Sequence, residues 1–236
     1  MDMIPRILYE DSCLLVAEKP AGMPSQPDAT GQESLLSYLQ AKYPFVGLVH
    51  RLDTPTGGVM VFAKDKAYVG KLTEVINDKE STQKTYLALI PSPPPTPEGV
   101  WEDYLYHDKQ KNKSFVVQPN AKGEVRRGAK HARLSYQVVT ALPDGMTLVS
   151  VRLYTGRTHQ IRVQFASRGL PLLGDGKYGS RAKLPTTGFA LWAHRLSFRH
   201  PQTGEMIEVT SAPPLNQGYW LILRSATHAI EKTQNH

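Results

Sequence analysis

Apolar residues along this chain come in short runs of strand length, separated by glycine, proline and acidic residues. Residues 7–10 and 14–18, split by Asp11-Ser12, predict a hairpin. Lys19-Pro20-Ala21-Gly22-Met23-Pro24 then ends the second strand, because two prolines and a glycine cannot continue a central ladder. From Ser34 to Lys42, leucines at 35, 36 and 39 behind a serine cap predict a short amphipathic helix. Gly47-Leu48-Val49 and residues 59–63 predict two strands around a turn, and a second helix is predicted from about Lys66 to Asn77, with Val69, Leu72, Val75 and Ile76 turned to the core.

The pattern stays β-rich beyond that helix. Residues 85–90 predict a strand, and the proline-dense stretch 91–97 reads as a stiff extended loop rather than a domain boundary. Residues 115–117, 134–139 and 147–153 predict further strands, the last two an antiparallel pair around Asp144-Gly145. Gly156 closes that pair, and Thr158 is expected to cap a helix running to about Arg168, with Ile161 and Phe165 turned inward. Gly218 to Ala226 predicts a short helix, with the last ten residues frayed. No period of 20 to 50 residues marks a repeat architecture.

Composition narrows the partners. The chain has 236 residues, 40% of them hydrophobic, enough to bury a full core. A formal charge of +7 and a pI near 9.4 point to a polyanionic partner, nucleic acid first. The densest basic stretch holds Lys109, Lys111, Lys113, Lys122, Arg126, Arg127, Lys130, His131 and Arg133. It is expected to form a hairpin or loop that contacts phosphate, against the alternative of a charged edge that discourages strand aggregation. Cys13 is the single cysteine, so no disulfide can form within the chain, which fits a reducing cytoplasm. The start, Met1-Asp2-Met3-Ile4-Pro5, lacks a leader pattern, and no apolar run reaches the length of a membrane span. A cytoplasmic protein without a membrane partner is the expectation.

Two stretches carry candidate chemistry. His50-Arg51-Leu52-Asp53-Thr54-Pro55-Thr56-Gly57-Gly58 places one carboxylate on a turn between two strands. Asp53 is either an ordinary turn residue that pairs with Arg51, the commoner use of these residue types, or an acid held in fixed geometry as a nucleophile or proton acceptor. Arg162 lies on the first turns of the helix after Gly156 and reads either as a surface arginine or as a cation that keeps Asp53 ionised. Two attractive motifs fall away. Gly174-Asp175-Gly176-Lys177-Tyr178-Gly179 has the G-x-G-x-x-G letters, but Pro185 follows too soon for a helix, so a turn near the active site is expected and no dinucleotide cofactor. His50, His159 and His194 lack the spacing of a zinc site, and no metal is expected.

Taken together, His50-Arg51-Leu52-Asp53 with Thr56-Gly57-Gly58, Lys84-Thr85-Tyr86-Leu87-Ala88, and Gly156-Arg157-Thr158-His159-Gln160-Ile161-Arg162 resemble the three signature segments of the RluA-type pseudouridine synthases. Lys19-Pro20-Ala21-Gly22 and Gly174 to Gly179 resemble further segments, so the likeness runs from about Ile7 to Leu223. The resemblance implies an α+β fold with a mixed, mainly antiparallel sheet and flanking helices, the pseudouridine synthase catalytic fold. It implies isomerisation of uridine in structured RNA, ribosomal or transfer, with no cofactor and no metal. The C1′–N1 bond breaks, the uracil turns in the pocket, and it rejoins through C5. Asp53 matches the catalytic aspartate and acts by attacking C1′ or by removing a C2′ proton. One carboxylate suffices because the base itself returns, whereas a glycosidase needs a second acid and a water.

By the same resemblance, Tyr86 stacks on the flipped base, Arg162 pairs with Asp53, and Arg51 enters the space the base leaves. Lys84 and Arg157 become phosphate or pocket-wall residues, and Arg126 and Arg127 belong to the RNA-contacting basic stretch. The chain departs from the family at Gly57, where serine is common, and at Gln164, where histidine often stands. Many members carry an amino-terminal S4-type domain; six residues before Ile7 cannot supply one, so residues 1–236 are expected to be a single catalytic domain, acting as a monomer. The alternatives are an RNA-binding or RNA-chaperone protein of the same fold, which intact Asp53, Tyr86 and Arg162 oppose, and a nucleoside or glycoside hydrolase, which lacks a second acid.

Overall fold

A computed structural model describes residues 4–142, 145–182 and 188–226. The expected fraying of the last ten residues, Asp144 of the predicted turn and Pro185 lie outside the described residues. The chain forms two compact units, Met1–Tyr86 with Leu191–Pro213, and Leu87–Ala190 with Pro214–His236.

The first unit opens on β1 (Arg6–Glu10) and β2 (Leu14–Lys19), paired antiparallel as predicted, and continues through helix α1 (Leu35–Gln40), β3 (Gly47–Leu48) and β4 (Gly57–Ala63). A 3-10 turn, Lys66–Tyr68, leads into α2 (Val69–Asn77). Ser34 caps α1 by accepting from the Ser37 N–H. β4 is the organising strand. Its residues are all buried because both faces are covered: Val59 and Val61 pack with Leu72 and Ile76 of α2, while Met60 and Phe62 pack with Leu35 and Leu39 of α1. A strand buried on both sides reads as a continuous apolar run rather than an alternating one, which is why Val59-Met60-Val61-Phe62 has no polar positions. β2 pairs with one edge of β4.

The other edge of β4 is shared. β3 takes the Phe62–Ala63 end, antiparallel, and a strand from the far end of the sequence takes the Gly57–Gly58 end, parallel. That strand is Leu191–Arg199, paired in turn with Met206–Thr210. Neither is among the strands expected from the sequence above. At the parallel contact, Gly57 faces Trp192 and Gly58 faces Ala193. A Cβ on Gly57 would stand 2.2 Å from Trp192 Cζ3, and Gly58, at φ +114°, approaches the Ala193 backbone so closely that a Cβ would stand 2.2 Å from its carbonyl oxygen. The glycine at 57, where the family commonly has serine, is therefore matched to a tryptophan filling the space.

β5 (Gln83–Ile90) carries the chain from the first unit into the second. The second unit holds β6 (Glu98–Asp108), β7 (Lys113–Val117), β8 (Lys130–Ala141) and β9 (Thr147–Leu153), joined antiparallel in the order β9-β8-β6-β7. The predicted pair β8–β9 is present. The basic stretch, expected as hairpin or loop, is partly strand, since Lys113 lies on β7 and Lys130 to Arg133 on β8. Helix α3 (Gln160–Ala166) follows, shorter than predicted. Its entry residue is His159, in the left-handed region at φ 55°, and Thr158 is not its cap. Gln160 organises the entry instead, accepting from the Thr155 hydroxyl (2.8 Å) and the Arg157 N–H (3.0 Å) and donating to the Arg133 carbonyl (3.1 Å). After α3 come a 3-10 turn at Gly176–Tyr178, then the first unit's strands β10 (Leu191–Arg199) and β11 (Met206–Thr210), and finally a 3-10 helix at Gly218–Ala226, where a short helix was predicted.

Candidate active site

Asp53 sits in the loop from β3 to β4. The tight turn is its last part, where the Thr56 N–H donates to the Asp53 carbonyl at 2.9 Å. The residues on either side of the acid are gripped by the loop after β2. Buried Ser25 donates to the Leu52 carbonyl (2.8 Å) and accepts from the Leu52 N–H (3.1 Å). Beyond the acid, the Thr54 carbonyl accepts from the Gly22 N–H (2.8 Å) and from Lys19 Nζ (3.0 Å). The start of the loop is pinned to β4, since His50 Nε2 accepts from the Val61 N–H at 3.1 Å. The stretch Lys19 to Ser25, read above as a strand ending and, over Lys19 to Gly22, as a resembling segment, is thus the clamp that fixes the catalytic candidate.

Electrostatics tie the same residues together. Lys19 is fully buried, and burial pushes its pKa down to about 7, with the Asp53 charge acting the other way. Its three N–H groups reach the carbonyls of Pro20, Met23 and Thr54. The Tyr86 phenol is pushed up by burial and then by the Asp53 carboxylate, which places ring and acid in one electrostatic environment. Burial lowers Lys84 to about 8. His50 falls to about 3, through burial first and the Lys84 charge second, so it is a neutral acceptor at physiological pH. Arg51 is exposed on the same loop. Asp53, Arg51, Lys84 and Tyr86 are therefore all contributed by the first unit.

The remaining predicted residues belong to the second unit. Arg162 is buried and forms a bidentate ion pair with Asp175, Nε to Oδ2 at 2.7 Å and Nη2 to Oδ1 at 2.9 Å. Its guanidinium also lies over the rings of Phe189, at 4.1 Å, and Tyr178, at 5.0 Å. The plane of the charge and its Nε–Nη2 edge are thus fixed. Asp175 was missed as a partner; it sits between the glycines of the resembling Gly174-to-Gly179 segment, and spacing alone carried no sign of the pairing. Arg157 Nε donates to the His131 carbonyl at 2.9 Å, and Arg126 and Arg127 are exposed. Gln164, at the position where histidine is often found, is buried and donates to Asp103 at 2.7 Å.

Among the described residues, the one grouping with metal-ligand chemistry is Asp11, Cys13 and His200, at the end of β4 away from Asp53. Its donors are spent on hydrogen bonds. His200 Nδ1 accepts from the Gln202 and Thr203 N–H groups, so the neutral ring carries its proton on Nε2 and donates it to Asp11 at 3.0 Å, while the Cys13 thiol donates to Gln202. A metal on Nε2 would require a doubly deprotonated ring, and the donor set does not fit one.

Residues 13–167 match the family described as RNA pseudouridylate synthase. An RNA pseudouridine synthase named YlyB from Bacillus subtilis, called uncharacterized, is 35% identical over 221 residues, covering 88% of this chain and 69% of that protein. The dual-specificity RNA pseudouridine synthase RluA of Yersinia pestis is 34% identical over 201 residues, covering 84% and 94%. The fold is shared with the solved structure of human RNA Pseudouridylate Synthase Domain Containing 1, with a TM-score of 0.75 at 21% identity over 99% of this chain and 96% of that one. The resemblance read from the segments around Asp53, Tyr86 and Arg162 therefore holds over most of the sequence, and the chain belongs to the RNA pseudouridylate synthases, enzymes that turn uridine in RNA into pseudouridine.

Proposed function

We propose that this protein isomerises specific uridines in structured ribosomal or transfer RNA, with Asp53 as the catalytic residue. The observation that carries the assignment is the clamp of Ser25, Gly22 and Lys19 on the residues flanking Asp53, which holds one acid in fixed geometry. Asp53 cleaves the C1′–N1 bond, by attack on C1′ or by removal of the C2′ proton, and the same uracil returns through C5. Tyr86 supplies the flat surface for the base, and its raised pKa keeps the phenol protonated as a donor. Exposed Arg51 reaches into the space the base leaves.

Arg162, aligned by Asp175, provides the fixed cation for the substrate. Lys84, Arg157, Arg126 and Arg127 contact the RNA backbone. The family match draws on both compact units, which supports one catalytic domain; that it acts as a monomer in the cytoplasm belongs to the same proposal. No described helix is long and apolar enough to cross a membrane.

Tritium release from structured RNA labelled at C5 of uridine tests the assignment, with RNA from cells lacking the protein as substrate. Wild type should release tritium and Asp53→Ala should fall by at least about 10³-fold, to background, since the step that breaks the glycosidic bond is lost. Release of free uracil would point instead to a hydrolase. Equal RNA binding by both proteins with no release from either would replace the enzyme by an RNA-binding protein of the same fold.

A further inference from the structure

We propose that the open face of the β9-β8-β6-β7 sheet in the second unit is a stacking platform for single-stranded RNA. The proposal rests on RNA being the substrate and adds a second place where it is held. Strand alternation defines the face. Tyr104 and Tyr106 of β6 point to one side, with His131 of β8 opposite Tyr104 and Phe115 of β7 opposite Tyr106. Leu105, Ala132 and Leu134 point to the other side, buried, where Leu105 and Ala132 pack with Val163 of α3. The first side is open: Phe115 is 38% exposed and the Arg133 side chain 46%.

What stands on this face suits nucleic acid better than a protein partner. Its aromatic rings come paired with guanidinium groups. Arg126 lies 3.6 Å from the Tyr106 ring centroid, and Tyr154 is flanked by Arg133 at 4.8 Å and Arg152 at 5.0 Å. A guanidinium stacked on a ring keeps its other plane for a base and its edge N–H groups for phosphate. Phe115 and Tyr104 offer rings to further bases; stacking tolerates any sequence because every base has a flat face. Glu102, in the middle of the face, is already paired with Arg133 at 3.3 Å and His131 at 3.2 Å, which limits its repulsion of phosphate. The loops at the edge, 109–112 and 118–129, add further lysines and arginines.

An adenosine 12-mer is the probe, since it contains no uridine to enter the pocket around Asp53, and binding is read by fluorescence anisotropy at low salt. Wild type should bind it. Tyr106→Ala with Phe115→Ala should weaken binding about tenfold or more, from the loss of two stacking positions. Tyr106→Phe should stay within about twofold, because the ring is kept. Arg152→Glu, at a half-buried strand position, should also weaken it and flatten its salt dependence. Circular dichroism checks that the double variant is folded; should it be unfolded, Arg152→Glu decides alone. A wild type that ignores the 12-mer, or variants that bind it as well as wild type, would overturn the platform. Tritium release by wild type is measured separately, so that a binder without release removes the catalytic reading and leaves the platform standing.

Discussion

Lys19 shows how a residue acquires a role that its own position does not announce. Its ammonium is fully buried and meets three carbonyls, so replacing it leaves three acceptors short of donors beside the Asp53 loop. Lys19→Met should destabilise the fold by about 2–3 kcal/mol, read as a shift in urea midpoint, and should lower tritium release beyond what unfolding explains. His50 makes the complementary case. Its folded pKa, near 3, lies below the unfolded value of 6.5, so below pH 6.5 the unfolded chain binds a proton that the folded chain refuses. Stability from this group is therefore present above 6.5 and is lost as pH falls toward 3. Between pH 7 and 4.5 the loss should be about 2 kcal/mol, allowing for partial exposure of the ring, and His50→Gln should abolish that part of the pH dependence in urea unfolding. That Asp53 stands on a turn between two strands was legible in the sequence because turn chemistry is local. Lys19 and Asp175 were not, because their partners are brought in from elsewhere in the chain.

Among elements, the parallel contact between β4 and β10 decides how the Asp53 loop ends. Trp192 is 2% exposed and its indole N–H donates to the Ser211 carbonyl and hydroxyl, both at 3.1 Å, so the ring cannot easily move from Gly57. Gly57→Ala should cost about 2–3 kcal/mol in the presence of Trp192 and less than about 1 kcal/mol in a Trp192→Leu background. A double-mutant cycle on unfolding midpoints measures the difference, and additivity would refute the account of why glycine stands at 57. β6 was overlooked because its exposed positions include Val100 while Trp101, Asp103 and Tyr104 sit half-buried, which blurs the period of two. The α3 cap was misassigned because Thr158 has the preferred residue type, whereas the hydrogen bonds belong to the side chain of Gln160. Strands β2, β4, β5, β8 and β9 and helices α1 and α2 were legible, since each keeps an apolar pattern matched to its own period.

For the molecule as a whole, charge is the property that sequence predicts most directly and places least well. A surplus of seven positive charges says that the chain attracts a polyanion, and membership of an RNA-modifying family says which. It does not say which cations touch phosphate. Arg126 and Arg127 lie exposed on one loop of the second unit, with Arg126 held over Tyr106, so an interaction with RNA needs no rearrangement of the fold. Each phosphate neutralised releases condensed counterions, which makes affinity fall as a power of salt concentration. If both arginines contact phosphate, Arg126→Ala with Arg127→Ala should weaken structured RNA and reduce the slope of log affinity against log salt by about 1.5, while the unfolding midpoint stays within error. If they act only as solvated charges that raise the local potential, affinity should fall slightly and the slope should barely change. Titrations of wild type and the double variant at several salt concentrations separate these outcomes, and an unchanged slope would confine RNA contact to residues outside this loop.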